Sequence, residues 1–252
     1  MIFVPVWILV KTFISGEENT VMLNNEILGM SAEKAICDLS GIDCFEIINR
    51  SDCALVEQLK PILIRALDNL PKIKKYVGLE RGERGGQSKS PIDFVLADEK
   101  TLSVKTNVRR TGKVCPSKCG QPGNETFDYY FGHLYGGDIS YNKFKNVALE
   151  NSHLMMPIYL DHLFDCDYLL WVYLEPSPGY RIISKSTLPE FQWDKESFSF
   201  TKDLLTWNES CTVKYNGQSI GEYQLHQHRN NYKFRFHLLK LFSILEVIGM
   251  DS

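Results

Sequence analysis

The chain is 252 residues long, 44% hydrophobic and 23% charged, with 28 Lys and Arg against 31 Asp and Glu and a formal net charge of −3. Such a chain can bury a real core and is long for one domain but short for two, so one globular α/β domain over 1–252 with inserted recognition elements is expected. The slight negative charge and a pI of about 6.1 count against indiscriminate nucleic-acid binding and leave any such footprint to local basic patches.

Seven scattered cysteines, an odd number, fit a reducing compartment better than a disulfide framework. The first ten residues, MIFVPVWILV, are too short to span a bilayer and lack the basic start of a signal peptide. They read as a buried strand, at a sheet edge because of Pro5, or as an extension from a misjudged start codon. With no repeat, low-complexity tract or membrane segment, a soluble cytoplasmic protein is the expectation.

A helix is expected over 31–39, capped by Ser31 with Glu33 in its first turn, and another over 55–70. Basic Lys72–Lys75 and a glycine-rich loop over 78–90, carrying Glu80 and Glu83, lead to the most informative stretch, SPIDFVLADEKTLSVKTN. There, residues 92–96 and 102–105 read as two strands joined by a turn at Asp98, Glu99 and Lys100. Strand alternation puts Phe94, Leu96, Leu102 and Val104 toward a core and brings Asp93, Ser103 and Lys105 together on the other side.

That trio suits phosphodiester hydrolysis. A carboxylate at Asp93 matches Mg²⁺, which takes one or two protein carboxylates and keeps several waters. Lys105 can orient or help deprotonate the attacking water and offset charge on the phosphate oxygens. The bland alternative is a solvated Asp–Lys pair, common on exposed hairpins.

Beyond the hairpin, the run from Lys105 to Lys118 includes Arg109, Arg110 and Lys113, and Cys115 and Cys119 could begin a zinc site, though no second ligand pair follows. Residues 128–133 read as an aromatic surface or DNA-facing loop, and 142–163 as a helix that Pro157 interrupts. The apolar 168–173 is a buried strand with 180–184 beside it. Near the end, Gln224, His226, Arg229, Asn230, Lys233 and Arg235 carry the chemistry of phosphate and base contact, before an amphipathic helix over 236–248 packs into the core.

Asp93 followed after nine residues by Ser103-Val104-Lys105 resembles the D…(D/E)xK signature of the PD-(D/E)xK nucleases, type II restriction endonucleases in particular. Ser103 departs from it by standing where the second carboxylate usually sits. TGKVCPSKCGQPG and SIGEYQLHQHRNNYKFRFHLLKLF are similar to further restriction-enzyme segments, so the resemblance spans about half the chain. It implies an α/β fold, a PD-(D/E)xK nuclease-like core with a central mixed β-sheet flanked by helices. It also implies Mg²⁺-dependent cleavage of double-stranded DNA at a short, palindromic site by a homodimer. On this reading Asp93 and Glu33 bind metal and Lys105 positions water, Glu33 supplying the missing acid; Glu125 is a weaker rival, and Glu80 and Glu83 sit in a basic, glycine-rich loop that could also approach DNA. Alternatives are a structure-specific repair nuclease, a DNA-binding protein that has lost catalysis at Ser103, and a scaffold that binds no nucleic acid.

Overall fold

The structure, a computed structural model, describes residues 8–10, 21–23, 25–78, 90–226 and 231–245. In chain order, β1 (Ile8–Val10) and β2 (Val21–Leu23) pair antiparallel and precede α1 (Asn25–Ser40) and α2 (Cys53–Leu67). Then come β3 (Ile73–Tyr76), β4 (Phe94–Leu96), β5 (Thr101–Arg109), β6 (Lys113–Val114), α3 (Asn124–Phe131) and α4 (Tyr141–Leu163). The remainder is β7 (Tyr168–Glu175), β8 (Gly179–Ser184), β9 (Phe198–Phe200), β10 (Ser210–Tyr215), β11 (Gln218–His226), β12 (Asn231–His237) and α5 (Leu238–Ile244).

Two five-stranded sheets result. The first, ordered β3-β4-β5-β7-β8, is mixed, because β5 and β7 run parallel while every other pair is antiparallel. A parallel neighbour requires a long crossover, and β6, α3 and α4 supply it. The second, ordered β6-β12-β11-β10-β9, is antiparallel throughout.

The apolar pattern explains the layering. Leu28, Ala32, Ala35 and Ile36 form one stripe of α1, which joins α2 in burying Phe94, Leu96, Leu102, Val104, Leu170 and Val172 of the mixed sheet. The alternate residues of β7, Leu169, Trp171 and Tyr173, enter a second core with α4 and with Tyr223, Phe234 and Phe236 of the antiparallel sheet. The strand expected over 168–173 is therefore buried on both faces, as a continuous apolar run in the middle of a sheet should be. One bridge couples the sheets. Asn107 Oδ1 accepts from Trp171 Nε1 at 3.0 Å, and its Nδ2 donates to the Lys113 carbonyl at 3.3 Å.

Several elements differ from the sequence reading; the helix expected from 236 begins at Leu238, because Phe236 and His237 still pair in the antiparallel sheet as the end of β12. The first helix starts at Asn25 rather than Ser31, because its apolar stripe already includes Leu28. The aromatic segment expected as a loop is mostly α3, whose Phe127 and Phe131 lie one turn apart and are both fully buried. Pro157 does not end α4, since Met155, Met156, Tyr159 and Leu163 are buried on both sides of it. The kink falls instead at Asn151, beside Ser152, whose Oγ donates to the Ala148 carbonyl at 2.6 Å and so bends the helix.

Candidate active site

The hairpin brings three of the expected residues together. Asp93 sits in a bend just before β4, and its backbone is held on both sides: its N–H donates to the Leu102 carbonyl at 2.9 Å and its carbonyl accepts from Val77 N–H at 2.8 Å. Its Oδ2 accepts from the Val104 N–H at 2.6 Å and from Ser103 Oγ at 3.2 Å. Ser103, at the position the family signature gives to an acid, is thus buried and acts as a donor to Asp93.

Lys105, half-buried, follows on the Ser103 face of β5. Nearby, burial pushes the Cys166 thiol up to about 12, with the Lys105 charge opposing and the Asp93 charge adding to the rise. One thiol thus senses both side chains.

Glu33 lies in the middle of α1, not in a first turn capped by Ser31. Ser31 is itself buried, and its Oγ accepts the Asp52 N–H at 2.9 Å, which ties α1 to the residue capping α2. The helix macrodipole acts within the terminal turns, so it does not account for an acid here. Glu33 is 7% exposed, and a carboxylate on a residue that deep needs hydrogen-bond donors. Tyr76 Oη donates to its Oε2 at 2.6 Å. Burial raises the Tyr76 phenol well above its usual range, and the charges of Glu33 and then Asp93 raise it further, so the phenol stays a donor between two carboxylates. Sequence reasoning missed Tyr76, and no local pattern announces a partner 43 residues from Glu33.

Among the described residues no group of three or more His, Cys, Asp or Glu could hold a metal ion. Cys115 and Cys119 therefore have no described set to complete a zinc site. A cation at the Asp93–Glu33 corner would draw on two carboxylates and on oxygens from outside the protein, a hard-oxygen set that suits Mg²⁺.

The cations named for DNA contact fall into two groups. At the end of β5, Arg109 Nε donates to Glu175 Oε2 at 3.2 Å on the surface, and the Arg110 guanidinium lies 5.5 Å from the Tyr173 ring centroid. On the antiparallel sheet the β11–β12 register sets Glu222 against Arg235, Gln224 against Lys233 and His226 against Asn231. Tyr232, Phe234 and Phe236 take the core face, so Lys233 and Arg235 lie on the opposite, polar one. Arg229, Asn230, Glu80 and Glu83 lie outside the described residues.

Glu222, not flagged as an ion-pair partner from the sequence, is the anchor of this polar face. It receives Lys113 Nζ on Oε2 and Arg235 Nη2 on Oε1. Burial alone would raise its carboxyl, but those hydrogen bonds and charges outweigh it and hold the pKa below the usual carboxylate range. A carboxylate between the apolar Ile220 and Tyr223 was the available signal. Burial raises the Cys115 thiol, while the charges of Lys233, Arg235 and Lys105 oppose that rise. The hairpin lysine and the cations of β12 therefore act on one common point.

These features define a mixed α/β protein in which two carboxylates and a lysine gather at a sheet corner beside a basic, polar sheet face. Over 223 residues the chain is 28% identical to the type II restriction enzyme CviAII of Paramecium bursaria Chlorella virus 1, a match covering 87% of this chain. The chain spans 60% of that relative's length. No family model matches the chain. No solved structure matches it at a significant level.

Proposed function

We propose that this chain is a type II restriction endonuclease, a divalent-metal-dependent, site-specific deoxyribonuclease with a PD-(D/E)xK-like core in a single nuclease domain. The observation that carries the reading is the hairpin corner, where Asp93, oriented by Val104 N–H and Ser103 Oγ, is on the Ser103 and Lys105 face of the hairpin and its carbonyl bonds Val77, next to the Tyr76 that donates to Glu33. The similarity to a type II restriction enzyme over most of the chain supports the same reading.

Asp93 and Glu33 would hold a Mg²⁺ ion, which supplies Lewis-acid stabilisation of the phosphate and a more acidic water. Lys105 orients the attacking water and offsets charge as it develops on the phosphate oxygens. Ser103 is an orienting donor, and the acid usually found at its position is supplied by Glu33. Gln224, His226, Lys233 and Arg235, with Arg229 and Asn230, would line the DNA beside Arg109 and Arg110. A palindromic site is met by a two-fold homodimer.

The test is digestion of a sequenced plasmid with Mg²⁺ or EDTA, with Asp93→Ala and Lys105→Ala in parallel. Discrete, Mg²⁺-dependent fragments lost in both variants are expected, and end sequencing then gives the site. Tight binding without cutting in every lane would favour a catalytically inactive DNA-binding protein. Neither binding nor cutting would end the nucleic-acid reading.

A further inference from the structure

We propose that Tyr76 is a positioning residue that orients Glu33 as a metal ligand. This rests on the proposed metal-dependent nuclease and extends it to a residue that neither the hairpin signature nor the helix assigns.

Tyr76 is the last residue of β3, and its backbone is fixed by the ladder to Phe94 and by the next residue, Val77, which donates to the Asp93 carbonyl at 2.8 Å. Its ring is held against the Phe94 ring, with centroids 5.2 Å apart and planes inclined at 55°. On its other side the backbone comes close, since a Cβ on Gly78 would meet the Tyr76 ring at 2.9 Å. A side chain confined on several sides has little rotamer freedom left to lose, so its hydroxyl is delivered to one place. That place is Glu33 Oε2, at 2.6 Å.

Tyr76 therefore connects Glu33 on α1 to the strand that pins Asp93. A hydrogen bond to one carboxylate oxygen fixes the plane of the group, and with it the direction from which the carboxylate can meet a cation. Such outer partners of ligating carboxylates are worth about 10–100-fold in metal affinity when removed.

The experiment measures Mn²⁺ binding to the full-length protein by the electron paramagnetic resonance of the free ion. Wild type, Tyr76→Phe, Glu33→Gln and the double variant are compared, with thermal melting alongside. Tyr76→Phe keeps the ring and removes only the hydroxyl. It is expected to bind Mn²⁺ about 10-fold more weakly, and to recover cleavage when Mg²⁺ is raised. In the Glu33→Gln background it should cause no further loss, because Tyr76 acts through Glu33. If Tyr76→Phe does not fold, Gly78→Ala displaces the ring by contact and should give the same weakening. Unchanged Mn²⁺ affinity in the folded Tyr76→Phe protein, or an additive loss in the double variant, would overturn the proposal and leave the nuclease reading intact. A wild-type protein that neither binds Mn²⁺ nor cuts DNA would overturn both.

Discussion

Two glutamates buried among the described residues, Glu222 and Glu33, receive different kinds of donor. Glu222 on the antiparallel sheet sits between two cations, Lys113 and Arg235. Glu33, on the helix that covers the mixed sheet, receives the neutral phenol of Tyr76, and nearby Asp93 receives a backbone N–H and the Ser103 hydroxyl. A cation on a carboxylate cancels its charge and fixes the cation in return, whereas a neutral donor orients the carboxylate and leaves its charge in place. The first arrangement builds a rigid polar surface from three strands. The second is what a metal ligand needs.

The largest expected effect is at the neutral-donor site. Asp93→Asn keeps a carbonyl oxygen for the Val104 N–H but loses the charge, so DNA cleavage should fall by on the order of 10³-fold, while urea stability changes by less than about 1 kcal/mol. A comparable loss of stability would mean that Asp93 is structural and that the two sites do not differ as argued.

The converse holds at Glu222. Glu222→Ala leaves Lys113 and Arg235 facing each other across a partly buried gap, and removing one partner of a buried pair costs about 3–5 kcal/mol. Urea unfolding measures it directly. A loss near zero would place both cations in solvent and dissolve the contrast.

Next in size is the bridge between the two sheets. Asn107→Ala removes the acceptor of Trp171 Nε1 and a donor to the Lys113 carbonyl, groups left buried without that partner, and should cost about 1–3 kcal/mol. Because Lys113 is one of the Glu222 cations, the same variant should also weaken DNA binding, measured as a lower apparent affinity at fixed salt.

How far the sequence carried follows the range of the interactions. The second hairpin arm at 102–105 and the strands at 168–173 and 180–184 were legible because strand alternation and apolar runs are local patterns, and each lies within the strand the structure shows; the first arm, read as 92–96, is shortened to Phe94–Leu96, with Asp93 in the bend before it. The start of α1 was not, since Ser31 looks like a cap until its hydroxyl is seen to bond Asp52, 21 residues away. In β11 a register shift between Val213 and Lys214 lets Ile220 and Tyr223 share the core across a spacing of three, which strict strand alternation does not give. Asp93, Ser103 and Lys105 could be placed together from one hairpin. Tyr76 with Glu33, and Lys113 with Glu222, are pairings across the fold that only the packed sheets create.

The smallest effect is also the most specific to the contrast, and it is a dependence on pH. Lys113 and Arg235 outweigh burial and hold the Glu222 pKa below its ordinary 4.5. A carboxylate lowered in the folded state contributes stability that is complete above the unfolded value and is lost as pH falls through the folded one. The stability difference between wild type and Glu222→Gln should therefore be constant from neutral pH to about 4.5, then shrink toward zero below it. His162 and His237, whose pKa values burial lowers from 6.5, lose their own contributions as pH drops below that value. Both proteins share that loss, so subtraction removes it and isolates Glu222. If the two curves stay parallel down to acid unfolding, the carboxylate is not held by its cations, and the distinction between a neutralised and an oriented glutamate fails at its better-defined end.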